Sequence, residues 1–481
     1  MTTILYILTI IAYVLSTGVS ILIISENRTP SKTLAYLLMM FLLPFVGVII
    51  YFVFGENYRK KKLYKRKLLN DTRAIEAFNN YLVRVSNENL TTYRDVIGQY
   101  GPLVKLLVRD SRTPLTINNE VEILQNGENK FEAVWKALES ARNHIHIEYY
   151  IFEEGKVAEK LKDILLRKCS EGVEVRIIYD DFGSRLSKKY INELKTAGAE
   201  IHPFYKIYFP LLSNRHNYRN HRKIIIVDGH IGFVGGINMS DRYVNSSDNK
   251  QTYWRDMHLR LAGDSVKMLQ ASFIINWNFC TETELELKHD YFPDYEANDP
   301  VLVQTAFSGP DSDRATIMLS YLSAINSSKR YIYITTPYFI PNESILNALK
   351  TAALSGVDVR LLVPGVSDSR FVNAAAKSYY AELLDSGVRI YLYKKGFIHS
   401  KAMVCDDLIS SVGTANMDIR SFDLNFEVSV FVFDQKVAAE MKNTFFEDLK
   451  DAEPINREAW KNRPRWVRIG ESFCRLFSPV L

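Results

Sequence analysis

The stretch His221-Arg-Lys-Ile-Ile-Ile-Val-Asp228, followed by Gly235-Gly-Ile-Asn238, decides how this chain is read, because it occurs twice. The second copy is His399-Ser-Lys-Ala-Met-Val-Cys-Asp406, followed by Gly413-Thr-Ala-Asn416. From each histidine the lysine lies at +2, the aspartate at +7, a glycine at +14 and an asparagine at +17. One His-x-Lys-x4-Asp pattern arises by chance about 0.03 times in a chain of this size, so a single copy carries little weight. Two copies sharing their downstream offsets are specific.

Working outward, the duplication widens. Gly172-Val-Glu-Val-Arg-Ile-Ile178 returns as Gly356-Val-Asp-Val-Arg-Leu-Leu362, and Ile145-His-Ile-Glu-Tyr-Tyr-Ile-Phe152 returns loosely as Ile332-Tyr-Ile-Thr-Thr-Pro-Tyr-Phe339. Each half alternates helix and apolar strand, with a glycine before the second and third strands, which predicts an α/β sheet covered by helices. The fold class is therefore α/β: two similar, duplicated domains over 113–296 and 297–481, related by a pseudo-two-fold, with a connector at 68–112. Lys206 to Asn220 is partly an insertion without counterpart, rich in aromatics with Arg215, His216 and Arg219, and is a candidate substrate-gating loop.

The repeated residues suit chemistry at phosphorus. Ile224–Val227 reads as a strand and Asp228-Gly229 as a hairpin turn, so the period of two puts His221 and Lys223 on one face. A phosphodiester needs a nucleophile, neutralisation of its oxygens and protonation of the leaving alkoxide. Imidazole serves as nucleophile or acid because its pKa lies near working pH. Lys223, Lys401, Asn238 and Asn416 would hold phosphoryl oxygens with no metal or other cofactor. Asp228 and Asp406 fall at turns, where capping of backbone groups and a direct catalytic role both remain open. A nucleophilic histidine also needs an acceptor on its far nitrogen, and Asp256 and Glu427 are the candidates at equivalent points. The other seven histidines have no partner across the repeat and are expected to be structural or exposed.

Composition narrows the setting. The 481 residues, 47% hydrophobic and 12% aromatic, exclude a largely disordered chain, and four scattered cysteines argue against a disulfide framework. Two uncharged apolar runs, about 4–24 and 34–54, are long enough to form a transmembrane hairpin. The bases at 59–67 follow directly and, by the positive-inside rule, put the rest of the chain in the cytoplasm. Residues 1–67 carry a balance of +7 and the last 21 residues +4, which leaves 46 bases against 52 acids between them. A body of that sign is a poor generic binder of nucleic acid. In the tail, Trp466, Ile469, Phe473 and Leu476 recur at three- and four-residue spacing among arginines. An interfacial helix and ordinary docking on the catalytic body both fit that pattern.

The paired motifs resemble the phospholipase D superfamily, and in detail its bacterial cardiolipin synthase family. The resemblance rests on Asn220-His-Arg-Lys-Ile, Phe233-Val-Gly-Gly-Ile-Asn, Tyr253-Trp-Arg-Asp, Thr336-Pro-Tyr-Phe-Ile-Pro, Gly396-Phe-Ile-His-Ser-Lys and Gly413-Thr-Ala-Asn-Met-Asp. It extends to the N-terminal apolar runs and to Ser478-Pro-Val-Leu481. It implies two phospholipase D-type domains behind a multi-pass anchor in a bacterial cell membrane, and transfer of a phosphatidyl group between two phosphatidylglycerols to give cardiolipin and glycerol. The assignment of His221 as nucleophile and His399 as acid, then base, comes from the resemblance alone, since the two halves are themselves nearly symmetric. The rival expectations are a hydrolytic phospholipase D, a synthase drawing on phosphatidylethanolamine, a tandem-motif nuclease, and a catalytically silent scaffold for anionic lipid.

Overall fold

The computed structural model describes residues 2–25, 30–54, 84–204, 218–245, 252–281 and 284–478. The basic cluster at 59–67, most of the insertion at 206–220 and the end at 479–481 lie outside them. The chain divides into two compact units: one contains the N-terminal helices, the other everything described from Arg84 to Phe204 and from Arg219 to Ser478.

The first unit holds the two expected apolar runs as three helices. Its first run is one helix, Thr2–Ser25, but the second is two, Pro30–Leu42 and Pro44–Phe54. Pro44 has no N–H to give the Met40 carbonyl, and the chain folds back at that point. The rings of Tyr36 and Tyr51 meet edge to face at 5.9 Å as a result. The Ser16 hydroxyl of the first helix donates to the stranded Met40 carbonyl at 3.0 Å. Helices of 13 and 11 residues are about 20 and 16 Å long, against roughly 30 Å of hydrocarbon. Among the described residues no helix is long and apolar enough to cross a membrane; in the first helix, side chains are described only from Ile10 onward.

The second unit holds two sheets with one strand order. The seven-stranded sheet runs 119–125, 257–263, 231–235, 223–227, 144–149, 174–179 and 200–203. The eight-stranded sheet, taken from the corresponding edge, runs 302–308, 427–433, 409–413, 402–405, 331–335, 358–364 and 389–393, then adds 452–454. This is the duplication expressed as topology. Each sheet contains three neighbouring parallel strands joined by helical crossovers, 144–149, 174–179 and 200–203 in one and 331–335, 358–364 and 389–393 in the other, and all other pairings are antiparallel. Gly172, Gly198, Gly356 and Gly387 precede those parallel strands with φ between 87° and 100°, which reverses the chain after each helix at no steric cost.

Each half has its own apolar core, one around Ile145, Ile147, Leu161 and Ile225, the other around Ile332, Ile334, Leu361 and Phe431. Tyr100, Leu103, Val104 and Leu107, expected in a connector, are buried in the core of the second half.

Candidate active site

The motif strands 223–227 and 402–405 are fully buried, and each opens a hairpin. Lys223–Val227 pairs antiparallel with Ile231–Gly235 through a turn in which Asp228 and Gly229 both have positive φ. The second copy pairs Ala402–Cys405 with Ile409–Gly413, with Asp406 and Asp407 in the same conformation. The two aspartates sit at the turn end of these hairpins, seven residues or about 23 Å of extended chain from the histidines. The structure gives them one job in both halves. Asp228 accepts from the N–H groups of Arg142, Asn143 and His144, at 2.8–3.0 Å. Asp406 accepts from those of Lys329, Arg330 and Tyr331, at 2.7–2.8 Å, and from the side chains of Gln99 and Tyr100. They clamp the strand that begins beside each turn, and each donor left without its acceptor would cost about 1–3 kcal/mol.

The histidines lie where the halves join. His221 donates its backbone N–H to the Phe426 carbonyl at 3.0 Å, while Phe426 donates to Arg219 at 2.8 Å. Gly396–Ile398 forms a parallel ribbon with Tyr253–Arg255, and His399 N–H continues it to the Arg255 carbonyl at 2.7 Å. These bonds cross the halves and so cross the carboxylates. His221 Nδ1 donates to Glu427 at 2.9 Å, and His399 Nδ1 to Asp256 at 2.7 Å. Each imidazole is tied through Nδ1 by an acid of the other half, which leaves Nε2 as the nitrogen presented to a reacting atom. Lys223 donates to the His221 carbonyl at 2.5 Å, and Lys401 Nζ lies 2.8 and 3.0 Å from the two ring nitrogens of His399. Tyr150 stands edge-on to His221 at 4.7 Å, and Trp254, Phe397 and Tyr243 surround His399 at 5.5–5.9 Å.

Asn238 donates to the Tyr243 hydroxyl at 2.7 Å and accepts from Ile151 N–H at 3.2 Å. Asn416 bonds to Asp418, and its buried Oδ1 has no hydrogen-bond partner among the described residues. Of the remaining histidines, His144 and His146 share the Gln270 amide inside the first half, His258 is buried, and His216 lies outside the described residues.

The two pairs differ in their surroundings. Glu427 also accepts from the Thr414 hydroxyl and, at 3.1 Å, from Asn425. Burial alone would raise its carboxyl, but His221, Lys223 and Thr414 outweigh that and hold it below the usual carboxylate range. Asp256 has the Met257 N–H at 2.7 Å and little else beyond His399, and burial lifts it to about 7 against the pull of Lys401. Burial also pushes His221 down to about 4, and His399 down by burial and then by the charge of Lys401. It lowers Lys223 to about 7 and Lys401 to about 8.

Thr414 donates to Glu427 and Gly236 lies against Asp256, and the motif alone marks neither position. They occupy the same place in the repeat, at +15 from each histidine, and the mismatch between them is the signal. A Cβ on Gly236 would lie 2.1 Å from Asp256 Oδ1, so no larger residue fits without moving that acid. Gly236→Ala is therefore expected to lower turnover about 100-fold, since an ångström of misplacement costs that much, while circular dichroism stays native. Near-normal turnover in this variant would remove Asp256 from any orienting role.

A family model described as the cardiolipin synthase, PLD-like domain matches residues 134–262 and again 321–449. A second, the phospholipase D-nuclease N-terminal model, matches residues 4–56. The chain is 42% identical over 461 residues to a cardiolipin synthase of Geobacillus sp. (strain WCH70), covering 95% of this chain and 90% of that protein. It is 40% identical to the major cardiolipin synthase of Bacillus subtilis (strain 168), covering 96% of each. Among solved structures, a phosphatidylserine synthase of Haemophilus influenzae Rd KW20 superposes with a TM-score of 0.58 at 11% identity, over 79% of this chain and 100% of that one, a likeness of fold alone. Identity of this order along nearly the whole length, with the domain model matched twice, means that the chain belongs to the cardiolipin synthase family of phosphatidyltransferases in the phospholipase D superfamily.

Proposed function

We propose that the chain makes cardiolipin from two phosphatidylglycerols through a phosphatidyl-histidine on His221. Nε2 of His221 attacks the phosphorus of the first lipid as the bond to its headgroup glycerol breaks, and His399 passes a proton to the departing glycerol oxygen. The terminal hydroxyl of a second phosphatidylglycerol then gives its proton to His399 and attacks the same phosphorus. The P–N bond breaks, and His221 returns to its starting state. Lys223 and Lys401 neutralise the phosphoryl oxygens, with Asn238 and Asn416 behind them. The ring of Tyr150, Trp254, Phe397 and Tyr243 keeps water from competing for the adduct.

The observation that carries this reading is the crossed and unequal pairing of the histidines. Glu427 is ionised and richly hydrogen-bonded, and so stabilises the positive charge that His221 acquires on attack. Asp256 near 7 lets the Asp256–His399 pair carry a proton at neutral pH, as an acid for glycerol must. The apolar N-terminal helices turn Ile10, Val14, Ile21, Leu38 and Phe41 outward, each more than half exposed, which favours lipid around them. We take them to anchor the chain in the bacterial cell membrane, with the catalytic halves on the cytoplasmic side, where the cluster at 59–67 would face.

Purified protein given only phosphatidylglycerol is expected to release glycerol and cardiolipin in equal amounts. Phosphatidic acid as the main product would make it a hydrolase instead. The pH profile follows from the same groups. Attack requires neutral His221, so kcat/KM falls as pH drops through about 4. Anion binding and proton delivery require charged Lys223 and a protonated Asp256–His399 pair, so kcat/KM also falls as pH rises beyond about 7. Initial rates still climbing between pH 8 and 9 would contradict this assignment.

A further inference from the structure

The C-terminal helix Arg465–Arg475 is docked the wrong way round for a soluble surface helix. Its inward side sets a polar centre between the half-buried Val467 and Cys474: Glu471 is buried in a two-pronged ion pair with Arg463 at 2.7 and 2.8 Å. Arg475 reaches Glu382 at 3.2 Å and lies 4.0 Å from the Tyr379 ring, and Ser478 is buried against the Tyr379 hydroxyl. Its outward side is apolar, with Trp466, Ile469, Phe473 and Leu476 between 59% and 75% exposed. A helix stabilised by the protein alone buries its apolar stripe. Here that stripe faces out, flanked by the exposed Arg465 and Arg468.

The apolar surface leads toward the reacting histidines. Phe473 meets Phe477 edge to face at 5.6 Å, and Phe477 meets Phe371 in the same way at 5.5 Å. Phe371 opens the helix Arg370–Lys377, and just before it Asp368 accepts the Tyr338 hydroxyl at 2.7 Å. The Asp368 charge acts on both His399 and Lys401. The patch is thus one short segment away from the site, and Val366, in that segment, is itself 66% exposed.

We propose that this helix is a second membrane contact, which lays the rim of the active site on an anionic bilayer so that lipid headgroups reach the histidines without leaving the membrane. The argument for a bilayer over a protein partner is charge. Of the tail's five bases, Lys461, Arg463 and Arg475 pair with Asp385, Glu471 and Glu382, which leaves Arg465 and Arg468 exposed beside the apolar row with no acid of the tail to answer them. An apolar row between arginines inserts about 5–10 Å into the boundary of headgroups and acyl chains and is drawn there by anionic lipid. The proposal rests on the reading that the substrate is a membrane phospholipid.

The test uses the full chain with its N-terminal helices intact. Ile469→Ser/Phe473→Ser should lower turnover of long-chain phosphatidylglycerol in mixed phosphatidylglycerol–phosphatidylcholine vesicles by about 10-fold or more. The same variant should turn over monomeric, short-chain phosphatidylglycerol at the parent rate. Unchanged vesicle turnover, or equal losses on both substrates, overturns the proposal. Failure of the unsubstituted protein on the soluble substrate would instead indict the proposed chemistry. An independent readout is the fluorescence assigned to Trp466 by difference from Trp466→Phe. Brominated phosphatidylglycerol should quench it, and less so in 0.5 M salt, where about 4 Å of Debye length remains. Fluorescence that is untouched by brominated lipid, and that changes with protein concentration, would give the face to a second copy of the chain and overturn the proposal.

Discussion

His221→Asn is expected to reduce cardiolipin synthesis by about four orders of magnitude or more, because on the proposed route it removes the atom that forms the covalent intermediate. Asn retains the size and a hydrogen bond toward Glu427, so the fold is spared and the loss reports chemistry. His399→Asn should be nearly as inactive with phosphatidylglycerol, since glycerol is too poor a leaving group to depart unprotonated. The two variants separate on a phosphatidyl ester of 4-nitrophenol, whose leaving group needs no acid. His399→Asn should then release about one equivalent of nitrophenol in a burst and keep the phosphatidyl group, because no base activates the acceptor. The adduct should appear by mass on the peptide bearing His221. His221→Asn should show no burst. A burst from His221→Asn, or an adduct on His399, would reverse the assignment of nucleophile and acid.

The second large effect concerns the carboxylates. Glu427→Gln keeps the hydrogen bond to His221 but removes the negative charge that offsets the forming imidazolium, and turnover should fall by about 10³- to 10⁴-fold. Asp256→Asn should cost far less, about 10- to 100-fold, because the native Asp256 is already half neutral near pH 7. The contrast comes from Thr414 and Asn425, which hold Glu427 ionised and have no equivalents around Asp256. Single-turnover rates with matched expression and melting behaviour would measure it. Equal losses for the two variants would mean that the asymmetry has no catalytic consequence.

Much of this was legible in the repeat. The spacing of His221, Lys223 and their counterparts predicts paired hairpins, and the glycines at 172, 198, 356 and 387 mark the strand starts that the sheets display. Asp256 and Glu427 could be picked out by equivalence, but not the partner each would serve. Periodicity describes one strand at a time, while the crossing is decided by backbone pairing between halves, at Phe426 with His221 and at Arg255 with His399. The unequal ionisation of the two acids was hidden for the same reason, because it depends on burial and on donors brought in by other strands. Hydropathy read 34–54 as one span, since the residues on both sides of Pro44 are equally apolar. Only the missing N–H at Pro44, and Ser16 answering it from another helix, reveal the fold-back. The tail's spacing was visible, but whether its apolar face turns in or out depends on Glu471 and Arg463 meeting beneath it.

The crossed carboxylates also bear on the order of events during synthesis of the chain. A ribosome that has completed the strands around His221 has not made half an enzyme, because the acid that will orient that histidine is 206 residues further on. Until Glu427 arrives and Phe426 pairs with the His221 backbone, the growing polypeptide has an imidazole with no counter-charge and an open, watery cleft. On the proposed route, a chain that stops short of Glu427 lacks the acid that orients His221 and would transfer no phosphatidyl group.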